Sequence, residues 1–367
     1  MRAIVFSGYQ KGLVLEDVEL EPPRSGEVRV RVIAAGVCRS DLHVRQGDWS
    51  RRLPVVMGHE GAGIVTEIGP GVTSVTPGDH VVLSWQPACG RCRRCVAGRP
   101  QLCELVGALV APRGVLYDGT SRLHLRGEPV YHYSGVSSFA EEAVVPESGA
   151  IRVPSGVPLA SAALIGCCVT TGVGAVLWTA RVEEGASVVV VGCGAVGLSA
   201  VQGGVLAGAG QIIAVDPVAD KLRIATQLGA TSTVNARSVE AVAQVRELTH
   251  GGAAYVFDCI GLPETVTDAI TMLGAAGCAV VVGLSAAGAT ASFSPLTLGE
   301  AEQRIIGSNY GSARPSIAFP FLAGLYSEGR LKIDELVTSR RPLAEAQAAL
   351  DDLAAARGIR TVLDPQG

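Results

Sequence analysis

The chain has 367 residues, more than the roughly 250–300 at which one hydrophobic core usually divides, so two domains are expected. Hydrophobic residues make up 48% and charged residues 17%, and the net charge of −4 comes without a basic run, which argues against nucleic acid or an anionic membrane as partner. The start Met1-Arg2-Ala3-Ile4-Val5-Phe6 is strand-like and fits no signal peptide, and no apolar run of about 20 residues is free of glycine interruption, so a cytoplasmic protein without a membrane span is expected. In that setting ten cysteines read as metal or redox ligands rather than disulfides.

In chain order, residues 1–35 alternate apolar and polar positions, with Val28, Val30 and Val32 set against Arg29 and Arg31, and Pro22-Pro23 marks a turn. Residues 36–110 are dense in Cys, His, Gly and Pro and are expected as loops and short strands that carry ligands; residues 114–140 read as a loop followed by strand. From about 161 the pattern changes. Ala160–Ala180 is small, apolar and of helical length, and Ser187–Val191 is a continuous apolar run of the buried parallel-strand kind. Strands at 211–215, 254–259 and 278–283 then alternate with helices at 195–208, 218–228, 238–248 and 264–273, the pattern of a doubly wound parallel sheet. Helices at 315–328 and 343–354 and a strand at 360–363 break that rhythm and are expected to return to the first domain.

Gly192-Cys193-Gly194-Ala195-Val196-Gly197 follows a strand and opens a helix, the setting in which G-x-G-x-x-G binds a dinucleotide. Gly192 serves the tight turn, Gly194 admits the pyrophosphate, and Gly197 lets the helix pack on the strand, while the helix N-terminus faces the phosphates. Asp216 ends the next strand, where a carboxylate takes the ribose hydroxyls and repels a 2′-phosphate, so NAD is expected over NADP.

Cys89, Cys92, Cys95 and Cys103 have the spacing C-x2-C-x2-C-x7-C, which suits a closed tetrahedral zinc site. An iron–sulfur cluster is the rival, but no second cysteine set or Cys-Pro pair accompanies it. Arg91, Arg93 and Arg94, interleaved with the cysteines, argue against a buried apolar role for the thiols. Four sulfur ligands leave no open position, so this zinc is expected to be structural. A dispersed set of Cys38, His59, Glu60 and Cys167 has the ligand types of a catalytic zinc with an open fourth place, although spacing alone does not join them.

With these residues in hand, the chain resembles the zinc-containing medium-chain alcohol dehydrogenases along nearly its whole length. The resemblance is carried by Gly36-Val37-Cys38-Arg39-Ser40-Asp41-Leu42-His43, Gly58-His59-Glu60-Gly61-Ala62-Gly63, Gly78-Asp79-His80-Val81, the cysteine loop, Gly166-Cys167, Thr170-Thr171-Gly172, the glycine loop and Ile359-Arg360-Thr361. Residues 114–140 look like the longer dimeric enzymes and their glutathione-dependent relatives. The resemblance implies a mostly-β GroES-like catalytic domain at 1–168 and 310–367 and a Rossmann domain at 169–309. It implies two zinc ions per chain, with catalytic zinc on Cys38, His59 and Cys167, Glu60 behind it, and Ser40 and His43 as a proton relay. Arg39 and Arg360 then meet the cofactor pyrophosphate, Asp216 and Lys221 hold the adenosine ribose, and Thr171 and Val196 flank the nicotinamide. Trp49 and Trp85 are expected to line a slim substrate slot.

The expected activity is reversible, NAD-dependent oxidation of a primary alcohol, allylic and aromatic ones included, to an aldehyde by a cytoplasmic homodimer, with a tetramer as the alternative. The competing activities are a thiol-adduct formaldehyde dehydrogenase of glutathione or mycothiol type, and a nicotinoprotein or carbonyl reductase of the same superfamily. In the glutathione-dependent enzymes the place of His43 is usually taken by another residue, whereas Arg122, in Gly119-Thr120-Ser121-Arg122, resembles that group. The intact ligand set argues against a zinc-free reductase, and the proton relay argues against a non-enzymatic zinc- or NAD-binding protein.

Overall fold

The computed structural model describes residues 1–367. The chain divides into two compact units, Met1–Cys167 with Arg314–Gly367, and Cys168–Ala313.

The first unit is mostly β. Its larger sheet runs Ala150–Arg152, His80–Leu83, Glu60–Ile68, Glu27–Gly36, Arg360–Asp364 and Val337–Pro342, with Glu142–Pro146 also paired to Glu27–Gly36. The alternation read at Val28, Val30 and Val32 is the reason for the central strand: all three are fully buried, while Arg31 between them is exposed. Each such valine contributes about 1.5–3 kcal/mol by burial, which fixes the face the strand presents. The closing strand Arg360–Asp364 pairs with the same central strand at Val362–Gly36 and Leu363–Ala35, so the C-terminal tail completes the sheet begun by the N-terminal segment. A second sheet of six short strands includes Arg2–Phe6, Leu123–Leu125 and Glu128–His132.

Between residues 36 and 55 the structure departs from the expected loop. Arg39–Gln46 is a helix, closed by Gly47 in the left-handed conformation at φ 87°. Its start is set by a reciprocal cap in which the side chain of Asp41 accepts the backbone N–H of Cys38 at 2.9 Å.

Arg122 is fully buried. Its guanidinium grips Glu27 through Nε (2.9 Å to Oε2) and Nη2 (2.6 Å to Oε1), and Nη2 also reaches Asp118 at 2.7 Å. It ties the long segment 114–125 to the central strand, which accounts for its presence without a substrate.

The second unit is a six-stranded parallel sheet in the order Ser232–Asn235, Gln211–Asp216, Ser187–Val191, Ala253–Asp258, Leu273–Val281 and Arg304–Gly307. Val188 to Val191 are all buried, as a strand covered on both faces requires. The α/β, Rossmann-type reading therefore holds. The edge strands Ser232–Asn235 and Arg304–Gly307 add to the expected strands; they are short and carry polar residues or glycine, so their pattern in the sequence is weak. Leu159–Ala180 is a continuous helical run with a window of mean hydropathy 1.9, long and apolar enough by length and composition to cross a membrane, and it coincides with the helix expected at Ala160–Ala180. Gly166, Gly172 and Gly174 lie inside the helix rather than breaking it, and 83% of that window is buried within the protein, which is the habit of a core helix.

Replacing Arg122 with Ala leaves Glu27 buried without its partner and is expected to lower stability by about 3–5 kcal/mol in denaturant unfolding. A loss below about 1 kcal/mol would show that the ion pair does not hold the segment in place.

Candidate functional site

Three side chains converge in the first unit. The ligand atoms of Cys38, His59 and Cys167 all lie within 4.8 Å of one another, and each residue is buried. Cys38 follows the central strand and His59 precedes Glu60–Ile68; the two strands are antiparallel and pair Gly36 with Glu60, so both ligands leave the sheet at one end. Cys167 comes from a π-helical turn, Ile165–Val169, the kind of local widening that recurs at functional sites.

Asp41 organises this set. It is fully buried; one carboxylate oxygen accepts Cys38 N–H at 2.9 Å and the other stands 3.2 Å from His59 Nδ1. That bond fixes Nδ1 as the protonated nitrogen and leaves Nε2 to face the thiols, 3.4 Å from Cys167 Sγ. A tetrahedral zinc with Zn–S of ~2.3 Å and Zn–N of ~2.0 Å has S···N edges of about 3.5 Å, so the donor set fits that ion. Burial pushes the His59 pKa down, but the charge and hydrogen bond of Asp41 outweigh it and hold it well above its ordinary value. Hydrogen bonding from Cys167, aided by the charge of Arg360, holds the Cys38 thiol well below the usual range, while that same bond and burial push Cys167 up.

Glu60, next to His59 in the chain, is fully buried, and burial raises its carboxyl to about 7. Its carboxyl fills the space of a side chain at Gly36, where a Cβ would come within 2.1 Å of Oε1, so this approach requires glycine there. Arg360 stands nearby, with Nε 3.6 Å from Glu60 Oε1, and Nη1 donates to Val37 O at 2.6 Å.

On the other side of Cys38, Ser40 Oγ is 3.9 Å from Cys38 Sγ. His43, on the same helix, has Nδ1 2.6 Å from Asp48 and its ring stacked on Trp49 at 4.6 Å. The Asp48 contact orients the imidazole as Asp41 orients His59, and leaves His43 Nε2 as the basic nitrogen. Trp49 and Trp85 both pack, partly buried, against the core of the first unit. Neither Asp41 nor Asp48 had been assigned a task from the sequence. The readable signal was an aspartate three residues after Cys38, a capping position, and another just past the glycine that ends the helix.

Cys89, Cys92, Cys95 and Cys103 form the second cluster, with all four sulfurs within 4.8 Å. The Cys92–Cys95 and Cys92–Cys103 separations are 3.5 and 4.0 Å, against about 3.8 Å for the edge of a zinc–sulfur tetrahedron. Backbone N–H groups of Cys95 and Glu104 pull the Cys92 thiol down to about 6, and burial pushes Cys95 up to about 12. No fifth donor accompanies the four sulfurs, so this zinc site is closed and structural.

In the second unit, Gly192 has φ 92°, and a Cβ at Gly197 would lie 1.8 Å from Gly192 O, so the loop needs glycine at both places. A Cβ at Gly194 would meet nothing within 4 Å, the open side a pyrophosphate needs. Asp216 ends its strand with Oδ2 accepting Cys193 N–H and Oδ1 accepting Val218 N–H, each at 2.8 Å. Val196 lies in the first turn of the loop helix Ala195–Leu206, Thr171 in the apolar helical run, and Lys221 near the start of Ala219–Gln227. Arg39 is exposed at the start of the helix that carries His43.

Residues 24–155 match the family model of the alcohol dehydrogenase GroES-like domain, and residues 195–324 match that of the zinc-binding dehydrogenases. An S-(hydroxymethyl)glutathione dehydrogenase of Saccharomyces cerevisiae is 39% identical over 363 residues, covering 96% of this chain and 93% of the yeast protein. The NDMA-dependent alcohol dehydrogenase of Amycolatopsis methanolica is 40% identical over 366 residues, covering 99% and 98%. Among solved structures, the benzyl alcohol dehydrogenase of Acinetobacter calcoaceticus superposes with a TM-score of 0.94 at 34% identity, covering 99% of this chain and 98% of that one.

Asp41→Asn keeps the shape but removes the charge that orients His59. It is expected to weaken zinc at the Cys38–His59–Cys167 set about 10–100-fold in chelator competition while the four-cysteine zinc stays bound. Equal retention of both metals would remove Asp41 from this role.

Proposed function

This chain belongs to the zinc-containing medium-chain alcohol dehydrogenases, and we propose that within that family its substrate is a primary carbinol borne on a small thiol, an S-hydroxymethyl adduct. The observation that carries the chemistry is the convergence of Cys38, His59 and Cys167 with the Asp48–His43 pair on the adjoining helix. What weighs toward the thiol adduct, over the free aromatic alcohol expected from sequence, is the name borne by the 39% identical yeast relative. The two substrates share the reacting group, since R–S–CH2–OH is itself a primary alcohol. Arg122 lends no support, because its guanidinium is spent on Glu27 and Asp118.

Cys38, His59 and Cys167 would hold a zinc ion, which would supply Lewis acidity toward the carbinol oxygen. Ser40 takes the departing hydroxyl proton, and His43, held by Asp48, passes it toward solvent. Glu60 stays behind the ligand set, its burial limiting how readily it carries charge. The glycine loop Gly192–Gly197 and Asp216 would hold the dinucleotide, which would supply the hydride acceptor, with Thr171 and Val196 proposed to flank the nicotinamide, Lys221 to join Asp216 at the ribose, and Arg39 and Arg360 to meet the pyrophosphate. Asp216 favours NAD, since its carboxylate is fixed by two backbone amides and would face a 2′-phosphate with like charge.

A second reading is favoured by the benzyl alcohol dehydrogenase likeness and by the flat Trp49 ring stacked on His43: a free benzylic or allylic alcohol, with Trp49 and Trp85 as walls. A third, the nicotinoprotein, rests on the NDMA-dependent relative. A homodimer joined along the open edge strand Arg304–Gly307 fits all three readings.

Steady-state assays of the purified protein with formaldehyde plus glutathione, formaldehyde plus mycothiol, and benzyl alcohol, each with NAD or NADP, separate these readings. The expected result is the highest kcat/KM for a thiol adduct with NAD. Rapid benzyl alcohol turnover without activity on either adduct would contradict it. Turnover that needs NDMA and no added NAD would establish the nicotinoprotein.

A further inference from the structure

Arg51 has no task in the account so far, yet its place is unusual. Its guanidinium carbon lies 6.0 Å from the centroid of the Trp49 ring and 5.6 Å from that of Tyr133. Each of these rings touches the reaction machinery. Trp49 stacks on His43 at 4.6 Å with 24° between the planes, and Tyr133 meets the ligand His59 edge-on at 5.5 Å, its hydroxyl donating to Ser40 O at 3.1 Å. Arg51 is thus one aromatic ring away from both the proposed base and a metal ligand.

The guanidinium is also under-used. Nη1 donates to Ser50 O at 2.9 Å, while Nε is buried and makes no hydrogen bond. No carboxylate pairs with it, and Asp48, three residues earlier, is engaged by His43. A partly buried cation held by two π faces and left without a counterion has an unmet demand for an anion. The planar fork of arginine suits a carboxylate in particular. The neighbouring Arg52 differs, being exposed and lying over Tyr131 at 4.1 Å.

We propose that Arg51 is a specificity-determining residue that binds a carboxylate carried by the substrate at a distance from its reacting carbinol. The aromatic pair would hold the guanidinium in place before the substrate arrives, lowering the ordering cost of that contact. This assignment deepens the proposed substrate class and rests on it, because thiol peptides such as glutathione carry carboxylates and benzyl alcohol does not.

The test compares wild type, Arg51→Gln and Arg51→Lys on S-(hydroxymethyl)glutathione, 4-(hydroxymethyl)benzoate and benzyl alcohol. The expected result is that Arg51→Gln lowers kcat/KM for each carboxylate substrate, relative to benzyl alcohol, about tenfold or more. The loss appears in KM rather than kcat, and Arg51→Lys recovers part of it. An equal fall on all three substrates would make Arg51 a packing residue and overturn the assignment, as would an unchanged ratio or wild-type turnover of neither carboxylate. If wild type leaves S-(hydroxymethyl)glutathione unoxidised while Arg51→Gln still selectively impairs 4-(hydroxymethyl)benzoate, the thiol-adduct reading falls and the role of Arg51 stands.

Discussion

A fully buried carboxylate is costly unless every lone pair it keeps is used, and Asp41 uses both of its oxygens on neighbours of the same site. One accepts the backbone N–H of Cys38 and starts a helix; the other faces His59 Nδ1 and decides which imidazole nitrogen is free. Two donors from distant parts of the sequence are thereby set by one side chain. The helix so started carries Ser40 and His43, so the proposed proton path inherits its position from the same carboxylate.

The sheet supplies the rest of the convergence. Antiparallel pairing of Gly36 with Glu60 brings Cys38 and His59 to one edge, and the π-helical turn at Ile165–Val169 delivers Cys167. The Glu60 carboxyl takes its place only because residue 36 has no side chain, so strand register and glycine placement act together. A second aspartate, Asp48, does for His43 what Asp41 does for His59. The site is therefore a pair of carboxylate–imidazole units, one facing the ligand set and one proposed to face the proton's exit.

Parts of this were legible in the sequence because they are local. The four cysteines between 89 and 103 carry their own spacing, the glycine loop carries its own turn, and the valine run 188–191 and the alternation at Val28–Val32 carry their own periods. What could not be read was whatever depends on register. Residues 38, 59 and 167 meet only through a sheet pairing and a helix, so the residues alone left them a dispersed set, joined by resemblance. Asp41 sits within a motif that resemblance supplied, yet its double role is a matter of where two oxygens point. The ion pair that buries Arg122 could not be read either, because its partner Glu27 lies 95 positions earlier. The apolar run at 160–180 was legible as a helix from its length and small apolar residues, and most of it is buried within the protein.

The account turns on there being two zinc sites with different work, one inside the reacting set and one in a closed cage. Zinc content per chain, measured together with unfolding and turnover on Cys167→Ser, tests this most directly. The predicted result is two zinc ions in the wild type and one in the variant, with an almost unchanged unfolding transition and no turnover. A variant that kept both ions and full activity, or one that lost both ions and unfolded, would contradict the division of labour between the sites.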